Sequence, residues 1–157
     1  MRHGIALASH DDTTLDGVAR SVEEGVVFAE FPTTRDAASC RDHGITVVRG
    51  APDLIRGGSH SGDIAAEAPA REGRLDALSS DYAPVSLLMA AFQLPERVPG
   101  IGLPQAIAMV TRNPARATGL TDRGEIAPGK RADLVWVRRG GEVPVVHQIW
   151  RGGGRVA

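Results

Sequence analysis

Two runs near the start of the chain decide the fold: Ile5-Ala6-Leu7-Ala8-Ser9-His10 and Val26-Val27-Phe28-Ala29-Glu30. Each is a short, nearly continuous apolar stretch that ends in a polar side chain, the pattern of a strand buried on both faces of a parallel sheet. Between them, Leu15, Val18, Ala19 and Val22 recur at i, i+3, i+4 and i+7, which predicts an amphipathic helix. Thr13 with Asp16 reads as its capping box, and Gly25 closes it. The unit then repeats. A short helix over 34–43 is stopped by Gly44, Ile45-Thr46-Val47-Val48 forms a third strand, and a Gly-rich loop spans 49–63. A helix over 64–71 follows, with Pro69 expected to break or kink it, and then a fourth strand over 75–80. Pro84 sits at the next helix start, with Val85, Leu88, Met89 and Phe92 as its apolar stripe.

Parallel strands cannot be joined by tight turns, so four consecutive βα units imply an α/β chain with helical crossovers. The pattern changes afterwards. A helix over 103–110 carries Pro104 in its first turn, and Asn113-Pro114 interrupts the helical pattern before 115–119. From Gly124 the chain reads as antiparallel, with strands over 133–138 and 143–150 separated by Gly140-Gly141. The boundary falls near 120: residues 1–120 carry the βα units and terminal helices, and 121–157 a small β unit. Four units are half of a closed (β/α)8 barrel, which takes about 250 residues.

Composition narrows the function classes. The 157 residues carry 18 Lys plus Arg against 19 Asp plus Glu, a formal net charge of -1, and are 42% hydrophobic. That describes a globular chain without the basic footprint of a nucleic-acid binder. With 19 Gly and 10 Pro the chain stays below the roughly 25–30% of low-complexity sequences. The single cysteine, Cys40, excludes an intrachain disulfide and any site built from several thiolates, and favours a reducing, cytoplasmic setting. The longest apolar runs fall short of the roughly 18 residues of a membrane-spanning helix, and no signal peptide precedes the first strand. Neither a membrane nor a nucleic acid is expected as a partner.

In parallel βα architectures the chemistry gathers at the C-terminal ends of the strands. Those ends carry His10, Glu30 and Asp81, a mixed imidazole and carboxylate set suited to Zn²⁺, Mn²⁺ or Fe²⁺. Glu30 closes an apolar strand just before Pro32, where a charge is costly unless a cation accepts it. His10 also fits a hydrogen-bonded core histidine, and Asp12 and Asp81, each ahead of a helical pattern, also fit helix N-caps. His3, His43 and His147 read as structural, with His43 at a helix C-terminus. The loop Arg56-Gly57-Gly58-Ser59-His60-Ser61-Gly62-Asp63 offers a guanidinium fork and three side-chain donors beside glycines, a pattern for phosphate. Arg56, Ser59, His60 and Ser61 are therefore the candidate substrate-binding residues.

The segment Thr111-Arg112-Asn113-Pro114-Ala115-Arg116-Ala117-Thr118-Gly119-Leu120, followed by Gly124-Glu125-Ile126-Ala127-Pro128-Gly129-Lys130-Arg131-Ala132-Asp133-Leu134-Val135, resembles the C-terminal signature of the amidohydrolase superfamily. The resemblance implies that the four βα units are the C-terminal half, strands five to eight, of a metal-dependent TIM-like (β/α)8 barrel. The β appendage would then be the C-terminal part of a small β-sandwich. Within that superfamily, Ala8-Ser9-His10-Asp11-Asp12-Thr13-Thr14, Ala29-Glu30-Phe31-Pro32-Thr33, Gly50-Ala51-Pro52-Asp53 and Leu78-Ser79-Ser80-Asp81-Tyr82 are similar to the phosphonate-metabolism (PhnM) branch.

That resemblance implies hydrolysis of α-D-ribose 1-methylphosphonate 5-triphosphate to the 5-phosphate with release of diphosphate. It places His10 at the fifth-strand metal ligand and Asp81 at the eighth-strand aspartate, which ligates and takes the proton of the attacking water. Glu30 stands where strand six normally ends in a histidine. One or two divalent ions are implied, along with a phosphorylated small-molecule substrate and other phosphonate-pathway proteins. The first-strand metal motif and fourth-strand bridging group of the superfamily have no counterpart in these residues, and Met1-Arg2-His3-Gly4 resembles the end of a preceding helix. Two other readings stand beside this one. One is an amidohydrolase acting on an amide or N-acetyl substrate. The other is a non-catalytic fragment that forms homo-oligomers through its unpaired strand edges.

Overall fold

The computed structural model describes residues 5–57, 66–141 and 143–157. Four strands, β1 (Ala8–His10), β2 (Phe28–Glu30), β3 (Thr46–Gly50) and β4 (Ala77–Ser79), pair in parallel in the order of the chain. Strands that pair in sequence order, with every crossover moving the same way, describe an arc of a barrel and not a doubly wound sheet, whose order reverses midway. A separate antiparallel sheet contains β5 (Leu134–Gly140), β6 (Val143–Arg151) and β7 (Gly154–Arg155).

The crossovers are α1 (Leu15–Glu24), a 3₁₀ helix (Ala37–His43), and the pair α2 (Ala51–Arg56) and α3 (Glu67–Arg71). After β4 come α4 (Ser86–Arg97), α5 (Leu103–Ala108) and α6 (Arg112–Ala117). Local chemistry sets the ends. Thr14, in place of Thr13, caps α1 by accepting a hydrogen bond from the Gly17 N–H at 3.2 Å, because Thr13 turns back to donate to the Asp11 carbonyl. Gly25, Gly44 and Gly57 end their helices in the left-handed region. Thr34 accepts from the Ala37 N–H at 3.0 Å, and the turn it starts stays 3₁₀ to His43.

The helix side of the sheet is packed in two clusters. Val18, Val26, Ala29, Ala37, Cys40, Ile45 and Val47 lie under α1 and the 3₁₀ helix. A larger cluster centres on Leu54, Leu78, Ala90, Leu94 and Val98, all buried. Several expectations need correction. The first run is not buried on both faces, because β1 has one neighbour, and Ile5 and Leu7 are 65% and 46% exposed. The stretch 49–63 is not one loop, because β3 reaches Gly50 and α2 starts at once, with Pro52 in its first turn. The stripe named for α4 has the right period but the wrong phase, since Ser86, Ala90, Ala91 and Leu94 are buried and Val85 is 87% exposed. Asn113-Pro114 does not interrupt a helix. Pro114 sits in the first turn of α6, and Asn113 Nδ2 donates to the Asp76 carbonyl at 2.8 Å.

A cleft of about 640 Å³ opens at the N-terminal end of the strands, lined by Arg41, Thr46, Asp76, Asn113 and Arg116. Its polar groups are spent on structure: Arg41 Nε pairs with Asp76 at 2.9 Å, and Asp76 accepts from the Val47 N–H at 3.1 Å. Such a set of bonds pins the N-terminal ends of β3 and β4 together. Among the described residues no helix is long and apolar enough to cross a membrane.

Two consequences can be tested. A methyl group on Gly124, whose φ is 92°, would stand 2.9 Å from both the Ala115 Cβ and the Arg112 Cα. Backbone cannot yield as a side-chain tip does, so Gly124→Ala is expected to lower unfolding free energy by about 2 kcal/mol or more in urea titrations. Burial pushes the Cys40 thiol from its ordinary 9.0 up to about 11, with the Asp12 charge adding to the effect. The stability tied to the protonated thiol is complete below pH 9 and is lost as pH rises through 11. Native protein at pH 8 should therefore resist alkylation that denatured protein undergoes, and Cys40→Ala should flatten the alkaline fall in stability.

Candidate active site

The parallel ladder determines which side chains share a face. Ser9, Ala29 and Val47 stand abreast, as do His10, Glu30 and Val48. Ala29 and Val47 point into the helix-side cluster, so the alternation of a strand turns His10 and Glu30 to the opposite face. Two predicted site residues are thus neighbours on adjacent strands, about 5 Å apart along the backbone bonding direction. Asp81 follows two residues after the end of β4.

Beyond the strand ends the backbone repeats one device. Among the described residues, Asp11, Phe31 and Asp81 are the non-glycine residues with positive φ, at 57°, 54° and 49°, and each lies just past the C-terminal end of a strand. Asp11 N–H donates to the Glu30 carbonyl and Phe31 N–H to the Val48 carbonyl, both at 3.0 Å, extending the ladder by one rung across each gap. At β4 the Ser79 hydroxyl accepts the Asp81 N–H at 3.2 Å. Left-handed backbone at such residues costs of order 1 kcal/mol each and gathers where function demands a particular presentation. The loops are tied together as well, Thr33 N–H and Oγ1 both donating to the Asp12 carbonyl and Thr34 Oγ1 to that of Thr13.

His10 Nδ1 stands 3.1 Å from Asp11 Oδ2, and its ring lies 5.4 Å from that of Phe31 at 58°. Phe31 in turn reaches the end of β3. A methyl group on Gly50 would meet Phe31 Cε1 at 3.2 Å, Asp53 Oδ2 at 3.4 Å and Asp81 Oδ2 at 3.7 Å. Gly50 thus leaves room for a ring and two carboxylates at one point. Arg56, at the last turn of α2, donates through Nη2 to the Tyr82 hydroxyl and lies with its guanidinium carbon 5.5 Å from the Tyr82 ring centroid. The candidate phosphate-binding arginine therefore sits beside the loop that carries Asp81.

Asp12 is no N-cap, since its Oδ2 accepts from Ser9 Oγ at 2.5 Å beneath α1. Nor is Asp81, as α4 begins only at Ser86. Ser59, His60 and Ser61 lie outside the described residues. His43 does stand at the C-terminus of its helix, and His147 is the extra residue at a bulge of β6, stacked 4.7 Å from Trp136. Among the described residues no three His, Cys, Asp or Glu side chains converge closely enough to hold a metal ion. His10, Glu30 and Asp81 share one end of the sheet without closing into one cluster, and the Phe31 ring reaches both His10 and the side of Gly50 next to Asp81. The donor set still fits a divalent metal in kind. His10 presents Nε2 with Nδ1 turned to a carboxylate, the arrangement that orients ligating histidines.

Sequence reasoning quoted Asp11, Phe31, Asp53 and Tyr82 within its motifs but gave them no role. A phenylalanine in left-handed backbone leaves no trace in composition or periodicity. Tyr82 did leave one, as the chain's single tyrosine next to a candidate catalytic aspartate.

Comparison with known proteins places the chain. Residues 58–143 match the model of an amidohydrolase family. The α-D-ribose 1-methylphosphonate 5-triphosphate diphosphatase of Escherichia coli K12 is 53% identical over 154 residues, 97% of this chain and 41% of that protein. A dihydroorotase of Methanopyrus kandleri is 39% identical over 85 residues, 43% of this chain and 20% of its own. An amidohydrolase structure from Thermotoga maritima MSB8 superposes with a TM-score of 0.75 at 25% identity, covering 99% of this chain and 44% of that one. The chain thus spans less than half the length of these relatives, and its parallel sheet corresponds to part of their fold. With more than half of its residues matched by the family model, the chain belongs to the amidohydrolase family.

Proposed function

We propose that this chain forms the C-terminal half of a metal-dependent hydrolase that converts α-D-ribose 1-methylphosphonate 5-triphosphate to the 5-phosphate and diphosphate. The observation that carries the reading is the 53% identity to an enzyme of that name along 97% of the chain. Residues 1–120 are proposed as the partial barrel and 121–157 as the C-terminal part of a small β-sandwich.

His10, Glu30 and Asp81 are the proposed metal donors, and Arg56 with Ser59, His60 and Ser61 the proposed phosphate contacts. A divalent metal, when bound, acidifies water and neutralises phosphoryl oxygens. The rest falls to side chains. The guanidinium of Arg56 holds the charge of the diphosphate portion, which grows as the bond between the α-phosphorus and the bridging oxygen breaks. Water attacks the α-phosphorus on the side away from that oxygen, and Asp81 takes its proton. His10 Nδ1 lies 3.1 Å from Asp11 Oδ2, which leaves Nε2 as the ring's lone-pair ligand. Asp81 is presented by strained backbone hydrogen-bonded to Ser79, so its carboxylate needs little rearrangement before the proton moves.

The exposure of Ile5 and Leu7, just ahead of the edge strand β1, supports a second proposal, that two copies of the chain associate through that edge. Sedimentation should give a dimer at micromolar concentration, and a monomer at all concentrations would count against it.

Activity is tested by following diphosphate release with a divalent metal present. Asp81→Asn is expected to lower kcat by about 10²- to 10⁴-fold with KM little changed, and Arg56→Ala to raise KM. Cleavage of amide or N-acetyl substrates without diphosphate release would replace this reading with the broader hydrolase one.

A further inference from the structure

We propose that Tyr82 is a substrate-positioning residue, forming with Arg56 a two-donor clamp for the phosphate groups of the substrate. The inference rests on the phosphate reading of the site and adds to it a residue that the reading does not use. Tyr82 is reached by Arg56 in two ways at once. Its hydroxyl oxygen accepts a hydrogen bond from Arg56 Nη2, and its ring lies 5.5 Å from the guanidinium carbon. A hydroxyl that accepts from a guanidinium must turn its own proton elsewhere, and an anion oxygen is a fitting acceptor. Arg56 has five N–H donors, of which the tyrosine takes one, so the rest of its fork remains for the same anion. Tyr82 is 58% exposed, so its hydroxyl proton is open to a ligand from solvent.

The two residues come from different strand ends. Arg56 is carried by α2, which starts at the end of β3, and Tyr82 follows Asp81, whose φ of 49° reverses the chain after β4. The contact therefore fixes the separation between the anion-binding side chain and the aspartate that receives the proton. Loss of the hydroxyl removes one donor and frees the guanidinium to swing on its flexible stem, while the aromatic face stays. Binding is then weakened more than chemistry.

The test uses Tyr82→Phe and Arg56→Ala, singly and together, with inorganic tripolyphosphate as the probe in calorimetry and diphosphate release as the kinetic readout. Tyr82→Phe is expected to weaken tripolyphosphate binding and raise KM about 5- to 20-fold, with kcat within about twofold and the melting temperature unchanged. In the Arg56→Ala background the same change should have little further effect, since the two side chains act as one unit. Equal tripolyphosphate affinity of wild type and Tyr82→Phe, or additive losses in the double variant, overturns the clamp while leaving the phosphate reading intact. Wild-type protein that neither binds tripolyphosphate nor releases diphosphate overturns both.

Discussion

The in-register parallel ladder is the constraint on which the rest of the structure depends. With Ser9, Ala29 and Val47 abreast, a single shift of one residue would exchange the two faces of the sheet. The apolar set that now packs under α1 and the 3₁₀ helix would then turn away from them, and His10 and Glu30 would be driven into a core without partners. Burial of Ala29, Val47 and Cys40 and presentation of His10 and Glu30 are thus one choice of register seen from two sides. The same ladder is prolonged past each strand by the N–H groups of Asp11 and Phe31, so the loops inherit the precision of the sheet.

That inheritance explains why the strained residues lie where they do. A strand that continued straight would carry residues 11, 31 and 81 on along the sheet axis. Left-handed backbone at each reverses the chain within one residue. Aspartate tolerates this region better than most side chains, but phenylalanine does not, so Phe31 is held by its surroundings. Its N–H is bonded to Val48, and its ring stands between His10 and the bare Cα of Gly50. Gly50 serves a second purpose, since any larger residue there would displace the ring or crowd the carboxylates of Asp53 and Asp81.

Much of this order was legible in the sequence, and the failures share a cause. The alternation of apolar runs with helical stripes located all four parallel strands and α1, because period 2 and period 3.6 are properties of local chemistry. Phase and boundaries are set by tertiary packing. In α4 the large apolar residues defined the stripe, but the small residues Ala90 and Ala91 are the ones fully buried, on a helix that packs against α2 and α5. At 50–57 the glycines and Pro52 read as loop punctuation, although the same residues are a helix start and a helix stop. The strand-end positions of His10, Glu30 and Asp81 were legible because they follow from the βα topology. Asp11, Phe31 and Tyr82 were quoted in motifs but given no role, because their placement arises from loop conformation, which no periodicity records.

Tight structure at one end of the sheet and strain at the other are complementary. At the N-terminal ends, Asp76 is held by Arg41 and by the Val47 amide, and Asn113 bonds the Asp76 carbonyl, so β3, β4 and α6 are pinned together. At the C-terminal ends the connections include single ladder rungs, hydroxyl contacts, the Phe31 ring, the Arg56–Tyr82 contact and the buried Arg49 guanidinium, which donates to the Pro32 carbonyl. The pinned end supplies a fixed frame against which three left-handed residues can be held, and the other end carries His10, Glu30, Asp81 and Arg56, the residues proposed to meet a ligand.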